Sequence, residues 1–251
     1  MSSLNLSEDH FDYICDQLKT HLSGIGLEHY PFKIGWYNQM VSPKFRLPFD
    51  DNCIAFVIIS TPDMFELAFI PYLRNYWLDN KSCSDPIDEC MKYHFNLLKE
   101  KLSAFSVEVI HDFELFMPNR RPRVLVQTAA HVSGAAFYYK PDFISDSTDI
   151  SHKLLGVCIH PLFGGWFAIR GVIVFKSLNN VSLKARQPID VIPGIDSKKR
   201  LLLNFNYHWK DWSYRDVIPV LKKYSDLQIK YFSLKPCERK EFINYLIHLK
   251  N

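Results

Sequence analysis

The sequence predicts an α+β fold with a largely antiparallel sheet, and three observations lead there. Strand-like and helix-like segments are mixed instead of strictly alternating, the links between strand candidates are often of hairpin length, and no internal repeat appears. The 251 residues, 47% apolar and 15% aromatic, suffice to bury the core of a single domain spanning 1–251.

The elements follow in order. Ser7 caps a peripheral N-terminal helix within 1–24, where Phe11, Ile14, Leu18 and Leu22 recur at helical spacing until Gly24 stops it. Cys53 to Ser60 reads as a buried strand, and Thr61 with Pro62 opens a helix running to about Tyr72. Asp85 and Pro86 repeat that start signal before Ile87 to Leu102. Ser106 to Phe113 and Arg123 to Thr128 are β-branched-rich and form a hairpin about the turn Pro118 to Pro122. Small residues from Ala129 to Ala136 suit a helix whose backbone approaches another element or a flat group closely. Leu155 to His160 and Trp166 to Phe175 read as strands joined tightly at Gly164 and Gly165. Lys176 to Asp196 is polar and reads as a surface excursion, and 196–251 is mainly helical.

Several function classes lose support. A formal charge of +3, from 30 basic and 27 acidic residues dispersed along the chain, implies neither nucleic acid nor membrane as partner. The longest apolar run, Ile54 to Ile59, is far short of the roughly 20 residues of a membrane helix. Cys15, Cys53, Cys83, Cys90, Cys158 and Cys237 form no CxxC pair or zinc spacing, and the acidic N-terminal segment resembles no leader, so a reducing cytoplasmic location is expected. The sequence contains no GxGxxG, GxxxxGK[ST], HExxH or GxSxG.

Three arginines are oddly placed. Arg170 interrupts the apolar run Trp166 to Ile173, and a buried guanidinium must either pair internally or meet an anionic ligand. Arg215 lies in the aromatic segment Trp209 to Asp216 with acids as neighbours, so local pairing competes with a ligand role. Arg239 opens the last helix, where a cation opposes the macrodipole and points to a partner outside that helix. Cys158 alternates with Val157 and Ile159 and reads as a buried, inert thiol. Tyr138 and Tyr139 suit a core or the face of a planar ligand.

The strings NRRP (119–122), QTAAHV (127–132), GVCIHP (156–161), FGGWFAIRG (163–171) and WSYRD (212–216) occur in order, and the likeness starts near Tyr30 and runs to about Arg239. Together they closely resemble the methylmalonic aciduria and homocystinuria type C family of cobalamin-processing chaperones. The resemblance implies a nitroreductase-like fold. It also implies glutathione-dependent dealkylation of alkylcobalamins and reductive decyanation of cyanocobalamin, with FAD or FMN and NADPH, or glutathione itself, as reductant. It places cobalamin contacts at Asp112, Val124, Leu125, Val126, Gln127, His131, Tyr138, Tyr139, Lys140, Cys158 and Ile169, and glutathione at Arg170, Arg215 and Arg239, the last two in the helical part 196–251. The bound glutathione thiolate is then the nucleophile, with no protein catalytic residue. The stretch 131–134 is similar to the DxHxxG motif whose histidine ligates cobalt, but position 129 is Ala, which counts against such ligation. The implied partners are cobalamin, glutathione and a trafficking protein of the type D complementation group, and the expected state is a monomer or a ligand-induced homodimer. A flavin reductase of the same fold and a carrier without chemistry are the competing readings.

Overall fold

The structure, a computed structural model, describes residues 3–77, 85–144, 154–179 and 181–249; Cys83 lies outside them. It is α+β, built on a four-stranded antiparallel sheet. Strands β1 (Leu27–Lys33), β2 (Ile54–Ser60), β3 (Val107–His111) and β8 (Ala168–Phe175) take the order β1-β2-β8-β3. Every residue of β2 is buried, as its unbroken apolar run requires of a central strand covered on both faces.

Alternation along β2 divides the core. Ile54, Phe56 and Ile58 point to one face, where they meet α1 (Ser3–Leu22), α3 (Ile70–Tyr76), α4 (Pro86–Lys101), α7 (Asp226–Ser233) and α8 (Arg239–His248). Ala55, Val57 and Ile59 point to the other, against α2 (Ile34–Met40) and α5 (Val126–Val132). A third cluster forms where strands β6 (Phe137–Tyr139) and β7 (Val157–Ile159) meet α6 (Ile195–Tyr207).

Local signals place several elements. Asp85 caps α4 by accepting a 2.9 Å hydrogen bond from the Ile87 amide, with Pro86 at the first helical position. Thr61 accepts from the Asp63 amide before the next helical segment, which passes through a π turn at Phe65–Phe69 into α3. Pro71 explains that turn: it has no N–H for the Leu67 carbonyl and its ring crowds that carbonyl, so the chain widens first. Helix α1 begins at Ser3, ahead of the expected Ser7 cap, and its Ile14 and Leu18 are fully buried in the first core cluster.

Other expectations are overturned. Arg123 to Thr128 is not a strand, because α5 starts at Val126 and sinks Ala129 and Ala130 into the second cluster; packing overrides β propensity here. The turn at 118–122 does reverse the chain, but it joins only the short strands β4 (Leu115–Phe116) and β5 (Arg121–Pro122). The small-residue helix ends at Val132, and Gly134, at φ +76°, lies where a Cβ would come within 2.8 Å of the Arg186 carbonyl oxygen. Strands β7 and β8 form no hairpin: they belong to different sheets, and only the bridge His160–Gly164 closes the turn between them.

His160 organises that turn. Its Nδ1 accepts from the amides of Leu162 (3.1 Å) and Phe163 (3.3 Å), so the neutral ring carries its proton on Nε2, 3.3 Å from the Tyr30 hydroxyl. Burial first, and the nearby Arg186 cation second, lower its pKa to about 4. A histidine kept neutral when folded stabilises the protein fully above pH 6.5, its unfolded value. This contribution should fall by about 1.4 kcal/mol per pH unit down to about pH 4. Urea unfolding across that window should show a shallower acid slope for His160→Gln than for the parent protein. Leu18→Ala should cost about 3 kcal/mol in the same assay, as expected for a truncated core leucine.

Candidate functional site

The site is organised by one irregularity in β8. Ile58 pairs with Gly171 but Ile59 pairs with Ile169, so Arg170 is an extra residue, a β-bulge. The bulge inverts the alternation. Ile169 joins Val172 and Val174 on the second-cluster face, whereas Arg170 turns to the opposite face, toward Ser60 and α4. Gly171 permits it: φ is +148°, and a Cβ there would lie 2.5 Å from the Ile110 carbonyl oxygen.

Arg170 is only 7% exposed and makes one side-chain hydrogen bond, Nε to Ser60 Oγ at 2.9 Å. Its Nη2 is buried without a partner, and among the described residues no carboxylate lies within 4 Å. The internal ion pair is therefore not formed. Arg170 lines a cavity of about 250 Å³ together with Phe167, Trp212, Arg215, Tyr224 and Phe232.

Arg215 reaches the same cavity without a carboxylate partner among the described residues. Four rings surround its guanidinium at 4.8–5.7 Å, those of Trp212, Tyr214, Tyr224 and Trp166, and Nη1 donates to the Gly165 carbonyl. Its backbone is seated on the Gly164–Gly165 turn, where the Gly165 amide donates to the Arg215 carbonyl at 3.0 Å. A Cβ at Gly164 would lie 2.4 Å from that carbonyl oxygen, so the glycine pair, at first sight a hairpin signal, makes room for Arg215. Asp216, its sequence neighbour, instead accepts from Trp166 Nε1 (2.7 Å) and pairs with Lys223. Trp212 holds φ +65°, a costly conformation for a bulky residue, while stacked on Trp166.

Arg239 does find a partner outside its helix: it pairs with Asp85 at 2.7 Å and lies over the Tyr231 ring. It does not line the cavity. Asp112 is drawn to this cluster as well, its amide donating to the Arg170 carbonyl at 3.3 Å. Burial first, then the Asp85 and Asp112 carboxylates, push the Asp88 pKa up to about 6. Asp88 and Tyr224 were not singled out from the sequence, where Asp85 and Ser60 stood only as a helix start and a strand end. Trp212 and Trp166 were visible only as parts of motifs.

The remaining expected contacts collect on the other face of the sheet. Val124 and Cys158 are buried in the second cluster, with Leu125, Val126, Tyr138 and Ile169 against it. The Leu125 amide donates to Tyr37 Oη at 2.9 Å, which anchors the start of α5. Cys158 contacts the Gln127 carbonyl at 3.6 Å, and burial alone pushes its thiol far up, which leaves it a poor nucleophile. His131, Tyr138 and Lys140 border a cavity of about 330 Å³ with Met40 and Asp142. His131 Nδ1 accepts from the Tyr138 amide at 3.2 Å, so the neutral ring has its proton on Nε2 and no free lone pair for a metal. Tyr139 is turned away. Its hydroxyl donates to Asp190 (2.7 Å) and accepts from the Val191 and Ile192 amides, pinning the 190–192 segment. Among the described residues no His/Cys/Asp/Glu cluster could hold a metal, and no helix is long and apolar enough to cross a membrane.

Gly165→Ala would put a Cβ 2.8 Å from Arg215 Cα. It should cost about 1–3 kcal/mol and weaken the near-ultraviolet circular dichroism of the Trp166–Trp212 stack. An unchanged spectrum and melting midpoint would show that the turn does not position Arg215.

Residues 26–243 match the model of the methylmalonic aciduria and homocystinuria type C family. A curated Bos taurus protein, "Cyanocobalamin reductase / alkylcobalamin dealkylase", is 42% identical over 92% of this chain and 81% of its own length. The Homo sapiens protein of the same name is 42% identical over 89% of this chain and 78% of its own length. The crystal structure of a C. elegans B12-trafficking protein, CblC, superposes with a TM-score of 0.87 at 32% identity, covering 97% of this chain and 98% of that one. With the motifs in order and these likenesses over most of its length, the chain belongs to the methylmalonic aciduria and homocystinuria type C family.

Proposed function

We propose that this chain binds cobalamin and removes the ligand on the upper face of its cobalt, dealkylating alkylcobalamins and decyanating cyanocobalamin. The observation that carries the proposal is the pair Arg170, buried, and Arg215, half-buried, two cations facing one cavity without an ion-paired carboxylate among the described residues. Glutathione fits them chemically. It has two carboxylates, which guanidinium forks can accept in bidentate geometry, and a thiol that remains free. The names of the relatives support the substrate.

In this reading cobalamin sits base-off against the face bearing Val124 to Gln127, His131, Tyr138, Lys140, Cys158 and Ile169, with Asp112 at its border. Ile169 and Arg170, adjacent in sequence but opposite in aim, then link the corrin side to the glutathione side. The thiol loses its proton to solvent, and cationic neighbours favour the thiolate. Sulfur attacks the alkyl carbon, the carbon–cobalt bond breaks, and its electron pair stays on the metal as cob(I)alamin while a thioether departs. The protein's own contribution is proximity and orientation. For the cyano form an electron enters and cyanide leaves; glutathione, or a diffusing reduced FAD or FMN regenerated by NADPH, supplies it. Arg239 acts one step back in this scheme, by neutralising Asp85. Tyr139 supports the wall behind Tyr138.

The same proposal includes the nitroreductase-like class of the fold, a cytoplasmic location, a monomer or ligand-induced homodimer, and delivery to the type D trafficking protein. Anaerobic mixing of the protein with methylcobalamin and glutathione should convert the spectrum to that of reduced cobalamin. No change would leave a carrier without chemistry. Arg170→Ala and Arg215→Ala should each lower glutathione-dependent turnover by about 10–100-fold, the worth of a charge-assisted hydrogen-bond pair. Cobalamin affinity, read from the base-off shift, should change less than about threefold. Equal losses in both would assign these arginines to the cobalamin site.

A further inference from the structure

The arginine cavity answers negative charge on a ligand and offers no opposite charge to a positive one. Besides Arg170, Arg215 and Ala168 its lining is aromatic, and among the described residues no carboxylate belongs to it. Arg170 Nη2 and Arg215 Nε are buried without a partner, so each guanidinium keeps a donor in reserve. The aromatic wall is already engaged by cations of the chain itself. Trp212, Tyr214 and Tyr224 face the Arg215 guanidinium at 4.8–5.1 Å, and Trp209 lies under Lys210 at 5.6 Å. A ring that hosts one cation is a poor host for a second, because the two repel. Phe167 and Phe232 bring no hydrogen-bond acceptor to the wall. The Gly165 carbonyl is taken by Arg215. Nor do the acids of the region serve: Asp85 pairs with Arg239, Asp216 accepts from Trp166 and pairs with Lys223, and neither Asp88 nor Asp112 lines the cavity.

Glutathione carries an ammonium as well as its two carboxylates, on the same carbon as the γ-glutamyl carboxylate. Seating that carboxylate on a guanidinium draws the ammonium toward the same cation, and stripping its water without a counter-charge costs binding. We infer that the arginine cavity recognises its ligand as a thiol-bearing dicarboxylate and does not read the γ-glutamyl ammonium, so that amine-free analogues of glutathione serve as substrates in its place. The inference rests on the glutathione reading of that cavity and names the substrate class that the cavity admits. The reaction itself is unchanged: the thiol proton goes to solvent, a sulfur–carbon bond forms, the carbon–cobalt bond breaks, and its electron pair stays on cobalt. What changes is the selection. A site built to read an amino-acid terminus pairs its carboxylate with a cation and its ammonium with an acid, whereas this cavity supplies only the first half of that pair.

Glutaryl-cysteinylglycine tests this, because it is glutathione with hydrogen in place of the ammonium and keeps the thiol and both carboxylates at the same spacing. Its S-methyl derivative, titrated calorimetrically into the full chain, should bind as tightly as S-methylglutathione to within about threefold, or up to about tenfold more tightly. The free thiol, mixed anaerobically with the chain and methylcobalamin, should yield reduced cobalamin with a kcat/KM no lower than that of glutathione to within the same factor. The glycinamide of the S-methyl derivative, which has lost one carboxylate, should bind at least about tenfold more weakly. The inference is overturned if removing the ammonium weakens binding or lowers kcat/KM by more than about threefold, since the ammonium would then have a partner in the cavity. It is overturned equally if the glycinamide binds as well as the dicarboxylate. Failure of S-methylglutathione itself to bind the chain is a separate result: it overturns the arginine-site reading, and this inference with it.

Discussion

The extra residue in β8 is the constraint on which the rest of the site depends. In a regular strand Arg170 would lie on the same face as Val172 and Val174, and Ile169 would face α4. The bulge reverses both, so a cation reaches the helical face and an apolar side chain reaches the α5 face, without any change of residue type. Gly171 is the covalent condition for it. Its positive φ and the 2.5 Å approach of the Ile110 carbonyl to a hypothetical Cβ exclude other residues without a shift of β3.

Around that bulge the protein holds its cations by means other than ion pairs. Arg170 has a serine hydroxyl, and Arg215 has a ring of aromatics and one carbonyl. An unpartnered nitrogen of a buried guanidinium costs roughly 1–3 kcal/mol of folding stability. The Trp212 backbone adds strain of the same order. Such costs are tolerated where the surrounding structure over-determines the geometry, as the Trp166–Trp212 stack and the Gly164–Gly165 seat do here. The result is preorganisation: a carboxylate ligand meets fixed donors and orders little on arrival. Arg239 takes the complementary route, a direct pair with Asp85, which ties α8 to the start of α4 and limits the negative charge near Arg170.

Much of the fold was legible wherever a signal is local. The apolar run of β2, the Asp85–Pro86 start of α4 and the mixed order of elements each depend on residues within a few positions of one another. The errors lie where local preference competes with packing. Val124, Leu125 and Val126 have strand character, yet α5 forms because Ala129 and Ala130 fit a helix tightly against the sheet. Gly164 and Gly165 have hairpin character, but the partner they admit is Arg215, 50 residues along the chain from Gly165. No periodicity reports a contact of that range.

By itself the sequence determined the α+β class, the family through its ordered motifs, and three arginines placed where a cation is costly. Only the tertiary structure decided what each arginine is for. The strand bulge sets where Arg170 points, the aromatic cage and glycine turn set Arg215, and the distant Asp85 claims Arg239. The physical reason is that a side chain's direction and its partner are properties of the packed chain. Strand parity can be inverted by one inserted residue, and a buried charge is defined by whichever groups fold around it.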